Sequence, residues 1–209
     1  MKFAYFNPTV VAVDEVPSDM FMTFKNMVDV AHTKSELNDE GDPTISIRGG
    51  QQIQLLPNEF NLDINALKGY IEYRCREYME AISKQSGRAD LSNYEPVLVS
   101  AWTIKQSSGD YQALHTHDAH ISGNMYIEVP DIDAETNISD SHIEFRLPVI
   151  KDPSKFIFVD HWRFSPKQSM MIIFPSYLPH VVYPWNTSGT RTILAWDVKI
   201  VPKKSLTEE

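Results

Sequence analysis

The chain has 209 residues, 42% of them hydrophobic, and a formal net charge of -9 with a pI near 5.2. That length and apolar content suffice for one sizeable core, and the acidic balance argues against a broad phosphate-binding surface, which makes nucleic acid an unfavoured partner. No run approaches the roughly 18 uninterrupted apolar residues of a membrane span, Met1 to Pro8 lacks an apolar leader core, and Cys75 has no second cysteine to pair with, so a soluble, cytoplasmic protein without membrane partners is expected.

Taken in chain order, the pattern is helical first and strand-like later. Pro17-Ser18 offers a helix start, after which Met20, Phe24, Met27, Val28 and Ala31 share one stripe. Glu36 to Pro43 is acidic and turn-rich and reads as a solvated loop. A second helix follows from Ile64, Leu67, Ile71, Cys75, Tyr78 and Ile82 at spacings of three and four, with Asp63 as N-cap and Gly87 past the end. Cys75 then belongs to a core face and is not expected to be a nucleophile. From Pro96 the sequence breaks into short β-rich runs: Val97 to Gln106, Ile121 to Val129, His142 to Leu147, Phe156 to Asp160, Ser169 to Phe174, His180 to Tyr183 and Thr190 to Ile200. Seven such runs with turn chemistry between them predict a mainly β (α+β) domain, an antiparallel jelly roll with the helices packed on one sheet. The expected organisation is a single domain over 1–209: a helical support region at 1–95, a jelly-roll core at 96–202 and a polar tail at 203–209.

The chemistry concentrates in His115-Thr116-His117, His180 and Arg191. On a strand, side chains i and i+2 leave the same face about 6.6 Å apart, so His115 and His117 can grip one ion while Thr116 points away. His180 is the best third ligand. Three nitrogens on one side of a metal leave open positions opposite, as in non-haem iron oxygenases. Arg191 lies eleven positions after His180, beyond a turn at Trp185 to Gly189, on what should be the neighbouring antiparallel strand. A guanidinium inside a barrel calls for a carboxylate held in a bidentate pair. The bland alternatives are two half-exposed histidines at a strand mouth and an Arg191 that pairs with Asp197 on a strand surface. Asp118 is the rival ligand to His117, but it needs a bulge to face His115. His32, His120, His142 and His161 fall outside the spacing and read as locally hydrogen-bonded. Trp102, Phe174, Trp185 and Trp196 read as core or pocket wall, and Asp110 to Gln112 as a possible lip.

These residues resemble the iron(II) and 2-oxoglutarate-dependent oxygenases, in particular a branch of uncharacterised oxygenases common in marine bacteria and phages. The likeness rests on the ordered set His115-Thr116-His117, Ile121 to Tyr126, Ile173 to His180 with its Phe-Pro step, and Arg191. It extends to Phe6 to Val10 as an opening strand, Gly49-Gly50-Gln51, and Ser100-Ala101-Trp102. Where most of the wider superfamily has His-x-Asp, this sequence has His117. The resemblance implies a double-stranded β-helix (cupin-like jelly roll). It also implies an oxidoreductase, a metal-binding dioxygenase that uses Fe(II), 2-oxoglutarate and O2 to hydroxylate an unidentified substrate with release of succinate and CO2. His115, His117 and His180 then hold the metal, Arg191 anchors the far carboxylate, and Tyr126 is a candidate second contact to it, although a strand tyrosine is more often core. A phage-encoded copy would work in the host cytoplasm, and a homodimer is the commonest assembly if the protein is not a monomer. Two other classes fit the same residues: a three-histidine cupin-like metalloenzyme that does not use 2-oxoglutarate, and a non-catalytic binding or structural protein on the same fold.

Overall fold

Alternation along one strand sets the layering of the molecule. The computed structural model describes residues 9–37, 50–56, 62–86, 90–132, 140–146 and 161–203. In β10 (Arg191–Pro202), Arg191, Ile193 and Ala195 face one way, while Leu194, Trp196 and Val198 face the other, and all six are buried. A strand buried on both faces must lie in a middle layer. Its neighbours are β3 (Tyr94–Gln106) and β5 (Ile121–Glu128), both antiparallel to it. β8 (Met170–Pro175) pairs with β5, and the two edges are β1 (Ala12–Glu15) and β2 (Gln51–Leu56).

One face of this six-stranded sheet carries the helices α1 (Ser18–Leu37) and α2 (Asn65–Ser86). Phe21, Phe24, Val28 and Ala31 from α1 and Leu67, Ile71, Cys75, Tyr78 and Met79 from α2 pack with Met125, Met171, Leu194 and Trp196 of the sheet. The start of α2 is fixed by Asp63, whose carboxylate accepts the Asn65 N–H at 3.1 Å. The other face packs on a four-stranded sheet ordered β4 (Gln112–His115), β9 (His180–Val182), β6 (Ile143–Arg146), β7 (His161–Phe164). Ile104, Tyr126, Ile172, Phe174, Ile193 and Ala195 meet Ile143, Phe145, Leu178 and Val182 in this second core. The result is the double-stranded β-helix, two antiparallel sheets face to face with helices behind the larger one. No helix among the described residues is long and apolar enough to cross a membrane.

Three expectations need correction. The first 95 residues are not only helical, because they also supply β1 and β2, the two edge strands of the large sheet. The strands carrying His180 and Arg191 are not neighbours: β9 pairs with β4 and β6, whereas β10 pairs with β3 and β5. The connection through Trp185 to Gly189 steps between sheets, with Trp185 buried and Gly189 at φ +95°. Finally, β4 and β7 are strands beyond the seven predicted runs. The predicted run Phe156 to Asp160, Gly87, Gly49 and most of the loop Glu36 to Pro43 lie outside the described residues.

Candidate metal centre and anion pocket

His115 closes β4 and His180 opens β9, and the two are register partners in the small sheet. His117 lies past the end of β4, so the continuous strand expected to carry both histidines stops between them. Its backbone N–H is satisfied by the Ser176 carbonyl at 3.0 Å, which holds it beside the chain leading to His180. The three rings still converge. Centroids lie 4.1 Å apart for His115 and His180, 5.2 Å for His117 and His180, and 5.2 Å for His115 and His117. One nitrogen from each falls within 4.8 Å of the others.

Hydrogen bonds decide which nitrogens those are. His115 Nδ1 lies 2.7 Å from the Ala113 carbonyl and His180 Nδ1 lies 3.1 Å from the Leu178 carbonyl. A carbonyl only accepts, so each Nδ1 carries the proton and each Nε2 is left with a lone pair. Burial pulls the His180 pKa down to about 3, reinforced by His115, and burial also lowers that of His115. Neutral imidazoles are the form that binds a metal. His117 Nε2 stands 3.4 Å from His180 Nε2, a spacing at which a shared cation relieves lone-pair repulsion. Trp102 stacks on the His117 ring, and Phe145 and Phe174 pack against His180, so the donors are held by rigid aromatic walls. Asp118 is exposed and lies outside this cluster. His120 accepts a hydrogen bond from the Ile200 N–H at 2.8 Å, His142 contacts the Asp140 carbonyl, and His32 contacts Thr103 and Gln51.

The histidines line one side of a cavity of about 150 Å³ whose far side contains Arg191, Tyr126, Asn124 and Gln106. Cavities of roughly this size accept a small organic molecule. Arg191 is fully buried, with its guanidinium over the Trp185 ring at 4.8 Å. Nε donates to Gln106 Oε1 at 2.8 Å, and Nη1 donates to the Ser141 carbonyl and hydroxyl and to the Tyr183 carbonyl at 2.9 to 3.0 Å. Ser141 adopts φ 59°, an uncommon conformation for a residue with a side chain, and it aims both oxygens at this cation. Nη2 has no partner. Burial lowers the Arg191 pKa to about 10, which leaves it charged at neutral pH.

Gln106 Nε2 is also buried and without a hydrogen-bond partner among the described residues. Because Gln106 Oε1 is tied to Arg191 Nε, the amide is held beside the guanidinium. Tyr126 is buried in the same wall, its phenol pushed up to about 12 by burial. A buried cation whose contacts are all neutral, flanked by orphaned donors, is matched to a small carboxylate. The residues present thus fit both groups the resemblance implies: a divalent metal at the histidines and a carboxylate beside Arg191 in the same cavity.

Sequence reading passed over Gln106, Asn124 and Ser141, and considered Asp197 only as a surface partner for Arg191. Gln106 and Asn124 could have been found as polar residues at inward positions of otherwise apolar alternating strands.

Residues 100–197 match a family model described as "Putative 2OG-Fe(II) oxygenase". No curated protein matches the chain. Among solved structures, a Pseudomonas putida prolyl-4-hydroxylase is similar at TM-score 0.55 and 15% identity, over 90% of this chain and 92% of that one. The viral collagen prolyl hydroxylase of Paramecium bursaria Chlorella virus-1, solved with 2-oxoglutarate, is similar at 0.53 and 14%, over 93% and 96%. HygX from Streptomyces hygroscopicus, solved with nickel and 2-oxoglutarate, is similar at 0.53 and 12%, over 93% and 83%. At these identities the structures establish the shared fold, and the match to the 2-oxoglutarate and iron(II)-dependent oxygenase model covers the segment that carries all three histidines and Arg191.

Proposed function

We propose that this oxygenase holds iron(II) through His115, His117 and His180 and oxidises a C–H bond of its substrate while 2-oxoglutarate is converted to succinate and CO2. The observation that carries this reading is the pairing, across one cavity, of three convergent histidines with a buried cation that has no carboxylate within hydrogen-bond distance among the described residues. 2-Oxoglutarate has the matching form, a keto acid at one end and a carboxylate at the other. Bound iron(II) supplies the activation of oxygen. The chain supplies the rest. The Nδ1 contacts of His115 and His180 turn Nε2 toward the ion, Arg191 Nη2 and Gln106 Nε2 donate to the far carboxylate, and the Tyr126 hydroxyl is a third donor within the same wall. Trp102, Phe145 and Phe174 keep water from the donors, which strengthens each charged contact.

An all-imidazole donor set also suits zinc, and a three-histidine enzyme that ignores 2-oxoglutarate shares that half of the site. It leaves the buried charge of Arg191 without a purpose. The test is anaerobic titration of the iron-loaded protein with 2-oxoglutarate and with 2-oxobutyrate, which lacks the far carboxylate. Arg191→Met should weaken 2-oxoglutarate binding at least about tenfold, the loss of one charged hydrogen bond, and leave 2-oxobutyrate unaffected. Equal affinity of wild type and variant for 2-oxoglutarate would remove Arg191 from the site.

A further inference from the structure

Two of the three histidines donate an Nδ1–H hydrogen bond to the carbonyl two residues earlier in the chain, and the third is placed differently. His117 Nδ1 faces a carboxylate, Asp197 Oδ1, at 3.5 Å. Both side chains are mostly buried, 16% exposed each. Asp197 lies on the face of β10 that carries Arg191, Ile193 and Ala195, next to the point where pairing with β3 shifts register between Asp197 and Val198. Such a shift re-aims the side chains around it.

The carboxylate is itself anchored. Ser122 Oγ donates to Asp197 Oδ1 at 2.5 Å and lies 2.8 Å from Ser176 Oγ. Both serines are buried, at 1% and 0% exposure. The Ser176 carbonyl is also the group that receives the His117 N–H at 3.0 Å. His117 and its facing carboxylate are thus tied to the same pair of serines, one on β5 and one just after β8. Among the described residues, His117 is the one basic side chain within ion-pair distance of Asp197.

We propose that Asp197 is the outer carboxylate of this centre, a positioning residue that accepts a hydrogen bond from the Nδ1–H of His117 and turns its Nε2 toward the metal. Three neutral imidazoles leave a divalent ion at full charge in a half-buried pocket. A carboxylate behind one ligand offsets part of that charge and raises the donor strength of the ring it contacts. The anion that a carboxylate ligand would bring into direct contact with the metal is here supplied one residue further out. The Ser176 and Ser122 hydroxyls keep that anion in place, so the pair does not depend on His117 alone for its geometry.

The inference rests on the histidine site proposed above, and the experiment separates the two. Metal-free protein is titrated anaerobically with iron(II) against a chromogenic chelator, alongside thermal melts of the same metal-free samples. Asp197→Asn keeps the size and an acceptor oxygen but removes the charge. It should bind iron roughly 10 to 100-fold more weakly, the usual effect of losing such a partner, with an unchanged metal-free melting temperature. Ser122→Ala, which leaves the carboxylate present but unanchored, should show a smaller loss in the same direction and decides the matter if Asp197→Asn does not fold. Wild-type iron affinity in Asp197→Asn, or in Ser122→Ala should the first variant not fold, overturns the role of Asp197. A wild-type protein that binds no iron overturns the histidine site itself.

Discussion

His180 is 3% exposed, and its pKa lies near 3 instead of the ordinary 6.5, so the metal-free protein carries a cost on the acid side. The sign follows from the depressed value. Between pH 6.5 and about 3 the unfolded chain binds a proton that the folded chain refuses, so stability falls as pH drops through this window. At pH 5.5 the contribution of His180 alone is about 1 kcal/mol, and His115, also lowered by burial, adds in the same direction. Melting curves of metal-free protein at pH 7.5 and 5.5 should show this loss, and His180→Asn should reduce it. An identical pH response in wild type and His180→Asn would show that the ring is not held neutral. The histidines and Arg191 were legible in the sequence because two spacings, i to i+2 and eleven positions, brought them forward. Gln106 and Asp197 were not, because their meaning depends on register: Gln106 stands opposite Arg191 across β3 and β10, and Asp197 stands opposite Ser122 across β5 and β10. A single sequence does not specify which residues of two long strands face each other.

At the scale of elements, β5 shows how closely the large sheet is packed. A Cβ on Gly123 would lie 2.5 Å from Trp196 Cζ2 and 2.7 Å from the Ile172 carbonyl, and neither can withdraw from a buried sheet. Gly69 in α2 is the counter-case, with nothing within 4 Å of its added Cβ. Gly123→Ala should therefore destabilise by about 1 to 3 kcal/mol, while Gly69→Ala should stabilise by about 0.5 to 1 kcal/mol through helix propensity. Thermal melts of the two variants test the packing directly, and equal shifts would contradict it. Both helices and the long central strands were readable from their periodicity, since α1, α2, β3, β5, β8 and β10 each bury several side chains in one pattern. β1 and β7 are four residues each and largely exposed or half-buried, so they carry too little apolar alternation to announce themselves. β2 alternates Ile53 and Leu55 inward but sits among glutamines, and its pairing with β3 is a long-range event.

Across the whole molecule, the proposed site is divided between layers. His115 and His180 belong to the small sheet, Arg191, Gln106 and Tyr126 to the large one, and the cavity lies between them. Sequence order obscured this division, because β9 and β10 are consecutive and consecutive strands usually pair; here the chain crosses between sheets instead. Behind the large sheet, burial of Cys75 pushes its thiol up to about 12, in keeping with a core position under the helices. A ligand that touches both sheets at once is the distinguishing expectation of the account. Anaerobic reconstitution with iron(II), followed by titration with 2-oxoglutarate, measures it through the visible metal-to-ligand charge-transfer band that keto-acid chelation to iron(II) produces. The account predicts a saturable band in the wild type that is absent in His180→Ala; iron binding without a band on adding 2-oxoglutarate would contradict it.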